Sequence, residues 1–361
     1  MTPSSRRAAA VAAASLSLAL AACGGTTSPT AVGSAPAPQL VMTGAQVGYA
    51  VWPSGVRWVV LGTTDGWRTV VNRTPVAVPT DGGLVLSARG AQVAVGVLPF
   101  QQLLVSPVLQ SSGPGRVWTP SQLPSALVAT TSAVARAEGA TYAVLADGGV
   151  VAAVDGTSSW APATSAQRLA PDGHLTVSGV VFPDGRTGFV MGAGSSDRPV
   201  LFTGAGSSWA AVRLPVTGGG TATALPPCLA GGTWVAPVAL EGHLELFTAA
   251  SPTGPWAAGP DLRTTATPVV ACGPHQVWAA LPDGGSDVLR TAAPGGAWTT
   301  RGDLGTHVTG LAPVSDTSAF AVDSDPSHVV AVSLAADGST ATTSLPLPAW
   351  VATVGGAAMR N

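Results

Sequence analysis

Acidic side chains and a histidine occur at two places where their spacing could support metal binding. Glu241, His243 and Glu245 alternate along the chain, so on a β-strand all three would share one face and could coordinate a metal ion. A turn at Glu241 followed by a solvated strand face explains the same pattern, and we favour that interpretation. Asp323 and Asp325 could begin an oxygen-rich calcium loop, but no further acidic residues follow them at regular spacing. We therefore expect no metal site and no cofactor.

The charge of the chain and the motifs it lacks narrow the function classes. The sequence contains no Gly-x-Ser-x-Gly elbow, no Walker loop and no His-Glu-x-x-His motif, which disfavours the common hydrolase classes. All 16 basic residues are arginines, those after Arg6 and Arg7 are spread singly, and the net charge is −2. Removal of Arg6 and Arg7 with a leader would take that charge to −4. Such a chain offers no electrostatic footprint for nucleic acid.

The N-terminus has the pattern of a secretory leader. Arg6 and Arg7 precede an apolar stretch over residues 8–20 that is too short to span a bilayer as a stable helix. The run that follows is similar to the lipobox of bacterial lipoproteins, with small residues for the signal peptidase before an acylated cysteine: Leu20, Ala21, Ala22 and Cys23. The alternative is an ordinary signal peptide with a chance cysteine near its Ala-x-Ala site. Several acyl chains on Cys23 would give stable membrane anchoring.

The stretch from Gly24 to Pro38 shows no periodicity and consists largely of small and turn-forming residues, which indicates a flexible tether. No other segment offers 18 consecutive apolar residues without Gly, Pro or charge. We therefore expect the lipid to be the only membrane attachment.

A repeated unit of about forty-five residues must position the candidate site residues. Each unit has an apolar strand with an aromatic residue or Val near its start, a turn, a second apolar strand and often a Trp. The strand starts follow one another at 42 to 49 residues: Tyr49, Val93, Tyr142, Phe189, Trp234, Trp278 and Phe320. Turns such as Asp147-Gly148-Gly149 and Asp283-Gly284-Gly285 supply the positive φ angles of tight hairpins. One four-stranded sheet cannot bury both faces, so the units must stack radially into a ring.

Six of the 11 tryptophans close the unit at one recurring position: Trp67, Trp118, Trp160, Trp209, Trp256 and Trp298. We expect these side chains to have a structural role in the repeat. We also expect the last unit to meet the first, with either Leu40 to Met42 or Trp350 to Val354 completing the seam, because an open edge would promote aggregation.

Cys228 and Cys272 occupy the same position in adjacent units, since each lies six residues before a strand Trp. In an oxidising exported compartment such a matched pair favours a disulfide, provided that the Cα atoms come within about 7 Å. Two free buried thiols are the alternative.

The closing segment of the unit resembles the Asp-box, or BNR, repeat of sialidase-like and photosystem-assembly-factor-like propellers. The pattern of that repeat is Ser/Thr-x-Asp-x-Gly-x-Thr-Trp. The segment from Thr291 to Trp298 keeps its length but has Ala293 in place of Asp, and Asp155 with Trp160 keeps two of its residues. The resemblance implies that the Asp accepts backbone amide hydrogens and that the Trp packs between blades.

A sialidase-like activity is the enzymatic expectation that the resemblance carries. That family uses an arginine triad, a Tyr helped by a Glu as nucleophile, and an Asp acid/base. Glu138 with Tyr142 could form such a pair, but both Tyr49 and Tyr142 stand at the repeated strand start. We therefore favour the interpretation that Glu138 is a loop carboxylate and Tyr142 a core aromatic residue. Arg213, within Val-Arg-Leu-Pro, follows a blade instead of opening the first one.

Together these observations predict an all-β chain. We expect a lipoprotein signal peptide over residues 1–22, a lipidated tether over 23–38, and one seven-bladed β-propeller of four-stranded antiparallel blades over 39–361. The expected function is non-enzymatic binding or scaffolding by a monomer that is lipid-anchored on the extracytoplasmic face of the cell membrane. Inter-strand loops at one propeller face would bind an unknown protein or glycan partner.

Two alternatives remain open. The first is a sialidase-like hydrolase or a carbohydrate-binding propeller, which three arginines with a carboxylate at the mouth of the central channel would favour. A channel lined by Ala, Gly and Thr would favour scaffolding. The second alternative is assembly of a membrane complex, which rests on the resemblance alone.

Overall fold

The computed structural model describes residues 38–353 apart from 55–56, 80–82, 99–107, 114–115, 122–130, 158, 172, 195–197, 217–221, 324 and 326. The predicted signal peptide, the lipobox residues Leu20, Ala21 and Ala22, the acylation site Cys23 and the tether before Pro38 lie outside the described residues. Within the described part, no helix combines the length and the apolar composition needed to cross a membrane.

The strands form seven antiparallel sheets, called blades 1 to 7 in chain order. Blade 1 contains β1 (Gln39–Met42), β2 (Gly48–Ser54), β3 (Arg57–Thr63) and β4 (Asn72–Pro79). Blade 2 contains β5 (Leu84–Arg89), β6 (Gln92–Val97), β7 (Val108–Ser111) and β8 (Thr119–Ser121). Blade 3 contains β9 (Thr131–Ala137), β10 (Ala140–Leu145), β11 (Gly149–Val154) and β12 (Trp160–Ser165). Blade 4 contains β13 (Leu175–Val181), β14 (Gly188–Gly194), β15 (Pro199–Ala205) and β16 (Ser208–Val212).

Blade 5 contains β17 (Ala222–Ala224), β18 (Cys228–Ala230), β19 (Thr233–Leu240), β20 (His243–Ala249), β21 (Ala257–Ala258) and β22 (Leu262–Arg263). Blade 6 contains β23 (Val269–Cys272), β24 (Val277–Asp283), β25 (Ser286–Ala292) and β26 (Thr299–Asp303). Blade 7 contains β27 (Val308–Pro313), β28 (Ser318–Asp323), β29 (His328–Leu334) and β30 (Thr340–Pro346). Two short helices, α1 (Ala166–Leu169) and α2 (Ala349–Thr353), follow blades 3 and 7.

Blade 5 keeps four strand positions although six strands are assigned. Its first position is split into β17 and β18, which both pair with β19, and its last into β21 and β22, which both pair with β20. Pro226 and Pro227 interrupt the first position, and Pro260 interrupts the last. Proline lacks the N–H that a sheet requires, so each interruption has a local cause.

The core consists of seven apolar clusters, one at each seam between neighbouring blades. Each cluster combines side chains from two adjacent sheets, so every blade buries both of its faces. The seven-bladed propeller expected from the repeat is therefore confirmed.

The six closing tryptophans lie where the third strand of a blade leads to the fourth, and each packs back onto the preceding blade. Trp67, Trp160 and Trp256 belong to the buried clusters of their seams. Trp118, Trp209 and Trp298 pack against theirs while partly exposed. A closing Trp thus fills one side of each of these six seams.

All seven predicted strand starts lie in the second strand of their blade, but they do not all face the same way. Those of blades 1, 3, 4, 6 and 7 face the next blade. Trp234 instead packs toward blade 4, and alternation places Val93 on the side of blade 1 with Val95. The interpretation of Val93 and Trp234 as equivalents of the other five was therefore wrong in orientation.

Blades 7 and 1 close the ring through side-chain packing. Leu40 and Met42 of β1 and Val351 of α2 all contact the cluster at this seam. The Ser54 hydroxyl donates to the Val351 carbonyl oxygen, which holds α2 on blade 1. Both segments that were candidates for completing the seam take part in it.

Candidate functional site

A cavity with a volume of about 780 Å³ opens at one mouth of the central channel. The first strand of each blade runs toward this mouth, so residues at the ends of β1, β5, β9 and β13 line it. Met42 and Phe182 contribute apolar surface. Arg89, Arg136 and Glu138 contribute charge from blades 2 and 3. The mouth is thus a concave surface of mixed polarity.

Arg136 is the buried charge of the mouth. Its side chain is only 1% exposed and pairs with the one-third-exposed carboxylate of Asp155, at 2.7 Å. The Arg136 guanidinium also donates to the Thr141 hydroxyl, while its Nε atom is buried without a hydrogen-bond partner. The buried charge of Arg136 needs a partner, so Asp155 holds Arg136 in place.

Glu138 and Arg186 form an exposed ion pair between blades 3 and 4, with a shortest distance of 2.5 Å. Hydrogen bonding from Arg186 lowers the pKa of Glu138, and the same bond raises the pKa of Arg186. The Glu138 amide donates to the Gly185 carbonyl oxygen at 2.6 Å. The turns of these two blades are thereby joined.

Arg89 reaches from blade 2 to blade 4. One of its terminal nitrogens donates to the Asp184 carbonyl oxygen. Gly185, at a φ of +82°, lies against the guanidinium, and any side chain at that position would collide with it. Among the described residues the Arg89 guanidinium makes no other side-chain hydrogen bond, and since a guanidinium has five N–H groups, the others can reach a ligand at the mouth.

Three arginines and two carboxylates thus gather at or beside the mouth: Arg89, Arg136, Arg186, Glu138 and Asp155. These residues are of the types expected at the mouth of a carbohydrate-active propeller. Two of these arginines, Arg136 and Arg186, already bind carboxylates. The site can hold a ligand by hydrogen bonds and apolar contact.

Glu138 and Tyr142 are not brought together as a nucleophile pair. The Tyr142 hydroxyl accepts a hydrogen bond from the Gly206 amide at 3.3 Å, and its ring packs on Phe182 with centroids 4.4 Å apart. The Tyr49 hydroxyl donates to the Ala91 carbonyl oxygen, and burial raises the pKa of Tyr49 to about 12. Both tyrosines are seam residues, as we favoured.

Glu241 lies in a turn, as favoured, while His243 and Glu245 lie on β20. Glu245 is buried, contrary to the expected solvated face, because alternation turns it toward the core with Phe247. Burial raises the pKa of Glu245, and its Oε2 atom has no hydrogen-bond partner. Throughout the described part of the chain, no three His, Cys, Asp or Glu side chains converge to hold a metal ion.

Asp323 and Asp325 organise the turn at the start of β29. Asp323 accepts hydrogen bonds from the Thr306 hydroxyl and the Asp325 amide. Both carboxylates lie 3.6 Å from the His328 ring. This arrangement supports turn formation.

Cys228 and Cys272 form a disulfide that links blades 5 and 6, with a Cα–Cα distance of 5.8 Å. The bond predicted from their matched positions is therefore confirmed. Both cysteines also line the mouth cavity.

Sequence reasoning missed most of the mouth. A recurring signal was present: between the first and second strands of three successive blades, Arg89 at the end of β5, Glu138 after β9 and Asp184 in the turn after β13 are each followed by Gly. A charged residue before Gly at one repeated position could have pointed to this face. No pattern in the sequence predicted the residues that Arg136 contacts.

Solved structures of other propellers resemble this chain. One described as YCF48 bound to D1 peptide matches with a TM-score of 0.56 at 14% identity, over 81% of this chain and 90% of that one. YCF48 from Cyanidioschyzon merolae matches with a TM-score of 0.55 at 15% identity, over 81% and 94%. A streptogramin B lyase structure matches with a TM-score of 0.56 at 10% identity, over 80% and 90%. At these identities the similarity establishes the fold alone.

No family model matches the chain, and no curated protein matches it either. The β-propeller architecture is therefore supported, whereas membership of the Asp-box group is not.

Proposed function

We propose that the protein is a non-enzymatic binding propeller that holds a protein partner at the face containing the channel mouth. The mixed lining of the 780 Å³ cavity carries this proposal, because apolar side chains and hydrogen-bonding groups from several blades converge there. A structural relative solved with a bound peptide supports a protein as the partner. If that partner belongs to a membrane complex, the protein acts in assembly of the complex.

We further propose that Cys23 is lipidated and anchors the chain on the extracytoplasmic side of the membrane. Pro38 lies beside Thr309 at the start of β27, so the chain enters the propeller at the face opposite the mouth. The proposed flexible tether between Cys23 and Pro38 would span about 21 Å on average and about 50 Å when extended. The mouth would then point away from the bilayer, toward a partner.

Acidic sugars are the second candidate class of ligand. The three arginines beside the mouth favour this class, since guanidinium groups bind carboxylates. Within the described part of the chain, Arg89 is the one of the three without a carboxylate partner, so the site offers one such contact. A glycan-binding screen separates this function from protein binding.

Position-specific photo-crosslinking in the native cells tests the proposed function. A photoreactive amino acid replaces Glu138 at the mouth or, as a control, the exposed Gln167 of α1 on the opposite face. We expect one defined protein adduct from position 138 and none from position 167. The adduct should weaken in the Arg89→Ala variant. Saturable binding to one sugar class without a reproducible protein adduct would overturn the proposal.

A further inference from the structure

The seam between blades 2 and 3 is built differently from most others. At five seams an aromatic residue of the second strand faces the next blade: Tyr49, Tyr142, Phe189, Trp278 and Phe320. In blade 2 the corresponding side chain, on the third residue of β6, is that of Ala94, which belongs to the cluster with blade 3. In blade 5 it is Val235, next to the disulfide. The seam between blades 5 and 6, which lacks the aromatic residue, is joined by the disulfide. The seam between blades 2 and 3 also lacks it and has an open space at one end.

A groove of about 370 Å³ occupies that end, at the same face as the channel mouth. We call it the blade 2–3 groove. Blade 2 contributes Gln92, Gln110 and Thr119, and blade 3 contributes Thr157. Gln92 lines both the groove and the mouth cavity, so the two are continuous.

The two glutamines extend the face of blade 2 beyond its apolar core. Ala94 pairs with Gln110, and Gln110 pairs with Thr119, so their side chains point to the same side of the sheet. Gln92 shares that side with Ala94 by alternation. Polar groups therefore cross the sheet from the channel toward its outer strand.

These side-chain amides are available for a ligand. Within the described residues, neither Gln92 nor Gln110 hydrogen-bonds through its side chain to another protein group. The opposite wall differs, because blade 3 contributes only Gly156 and Thr157 to the lining. A ligand in the groove would thus be recognised mainly by blade 2.

An exposed aliphatic residue completes the groove. Val117 is 85% exposed, the most exposed large hydrophobic residue in the described part of the chain, and it lines the groove beside Pro120. The lining carries no charge. An uncharged ligand with alternating polar and aliphatic groups fits this surface.

We infer that the blade 2–3 groove binds an extended, uncharged polypeptide segment of the partner. The inference rests on the proposed function and names the part of the partner that is recognised. Each glutamine amide offers one acceptor and two donors, which match the C=O and N–H groups of an extended main chain. An aliphatic side chain of the segment would pack on Val117.

A neutral oligosaccharide fits less well, because sugar rings pack flat on exposed aromatic faces. Of the tryptophans nearest in sequence to the groove, Trp160 packs into the cluster of the blade 2–3 seam itself, and Trp118 packs against the cluster of the blade 1–2 seam. The aliphatic Val117 provides no such platform.

Crosslinking from the groove tests the inference separately from the proposed function. A photoreactive amino acid at position 117 should capture the same partner as one at position 138, through a single linear segment identified by mass spectrometry. Capture from position 138 but not from position 117 would overturn the inference about the groove and leave the proposed function unaffected. Loss of capture at both positions would overturn both.

A displayed library of linear twelve-residue peptides gives the second test, with an array of neutral oligosaccharides as the competing probe. Peptides selected on the wild-type protein should bind the Gln92→Ala/Gln110→Ala variant about tenfold more weakly, and the Gln167→Ala control equally well. Both glutamines are at the surface, so folding is expected to be retained. Failure to select peptides, equal affinity for the double variant, or oligosaccharide binding that depends on these glutamines would overturn the inference.

Discussion

Removal of the disulfide between blades 5 and 6 should weaken the whole ring. Cys228 and Cys272 are separated by 44 residues, and their bond limits the freedom of that loop in the unfolded chain. The chain-entropy relation gives about 4 kcal/mol for a loop of this length. The perturbation is the Cys228→Ser/Cys272→Ser variant, which replaces both sulfur atoms with small polar groups.

The expected change in melting temperature follows from the size of the propeller. Roughly 316 residues unfold with an entropy of about 660 cal/mol/K, so about 4 kcal/mol corresponds to a decrease of about 6 °C. The wild-type protein in a phosphine reductant should melt at the temperature of the variant, and the variant should be insensitive to the reductant.

Circular dichroism melting at neutral pH, with and without reductant, measures both effects. Alkylation followed by mass spectrometry shows whether the two thiols are blocked in the wild-type protein. A double variant that melts within about 1 °C of the oxidised wild type would refute the reasoning, because the bond would then not restrain the unfolded chain.

Three further predictions follow from the buried charges and the N-terminus. Asp155→Ala should lower the unfolding free energy by about 2 to 3 kcal/mol in urea titrations, because it leaves Arg136 buried and unpaired; no change would contradict the pairing. Burial raises the pKa of Glu245 in the folded protein. The stability that Glu245 contributes to the folded state is therefore complete below the ordinary carboxyl pKa and is lost as the pH rises through the raised pKa. Glu245→Gln should therefore be more stable than wild type at pH 7 but not at pH 4, whereas the exposed-turn control Glu241→Gln should show no such difference. Cys23→Ala should abolish labelling by radioactive palmitate and release the protein from membranes; retained labelling would contradict lipidation at Cys23.

The fold could be predicted from sequence because each blade repeats the same physical requirement. An apolar second strand and a closing Trp recur since every sheet must bury two faces against its neighbours. Trp67 and Trp256 lie more than 180 residues apart yet fill equivalent seams. A repeat of this kind is visible without knowledge of long-range contacts.

The sequence predicts less well which face of a sheet each side chain lies on. A shift of one residue along a strand moves a side chain to the other face. Val93 satisfied the repeat spacing, but Ala94 occupies the position that faces the next blade. Ala94 therefore faces blade 3, and Gln92 of the groove lies on the same side of the sheet.

The mouth could not be assembled from sequence because its contacts join distant turns. Arg89 and Asp184 are 95 residues apart, and Glu138 and Arg186 are 48 apart. Only closure of the ring brings their blades to one face. Charged residues spread singly along the chain thereby become a cluster.

Hydrogen–deuterium exchange of the propeller with its crosslink-identified partner tests the central claim most directly. The account predicts protection in the turns after β5, β9 and β13, around Arg89, Glu138 and Asp184, with unchanged exchange at α1 and α2 on the opposite face. Protection confined to that opposite face would contradict binding at the channel mouth.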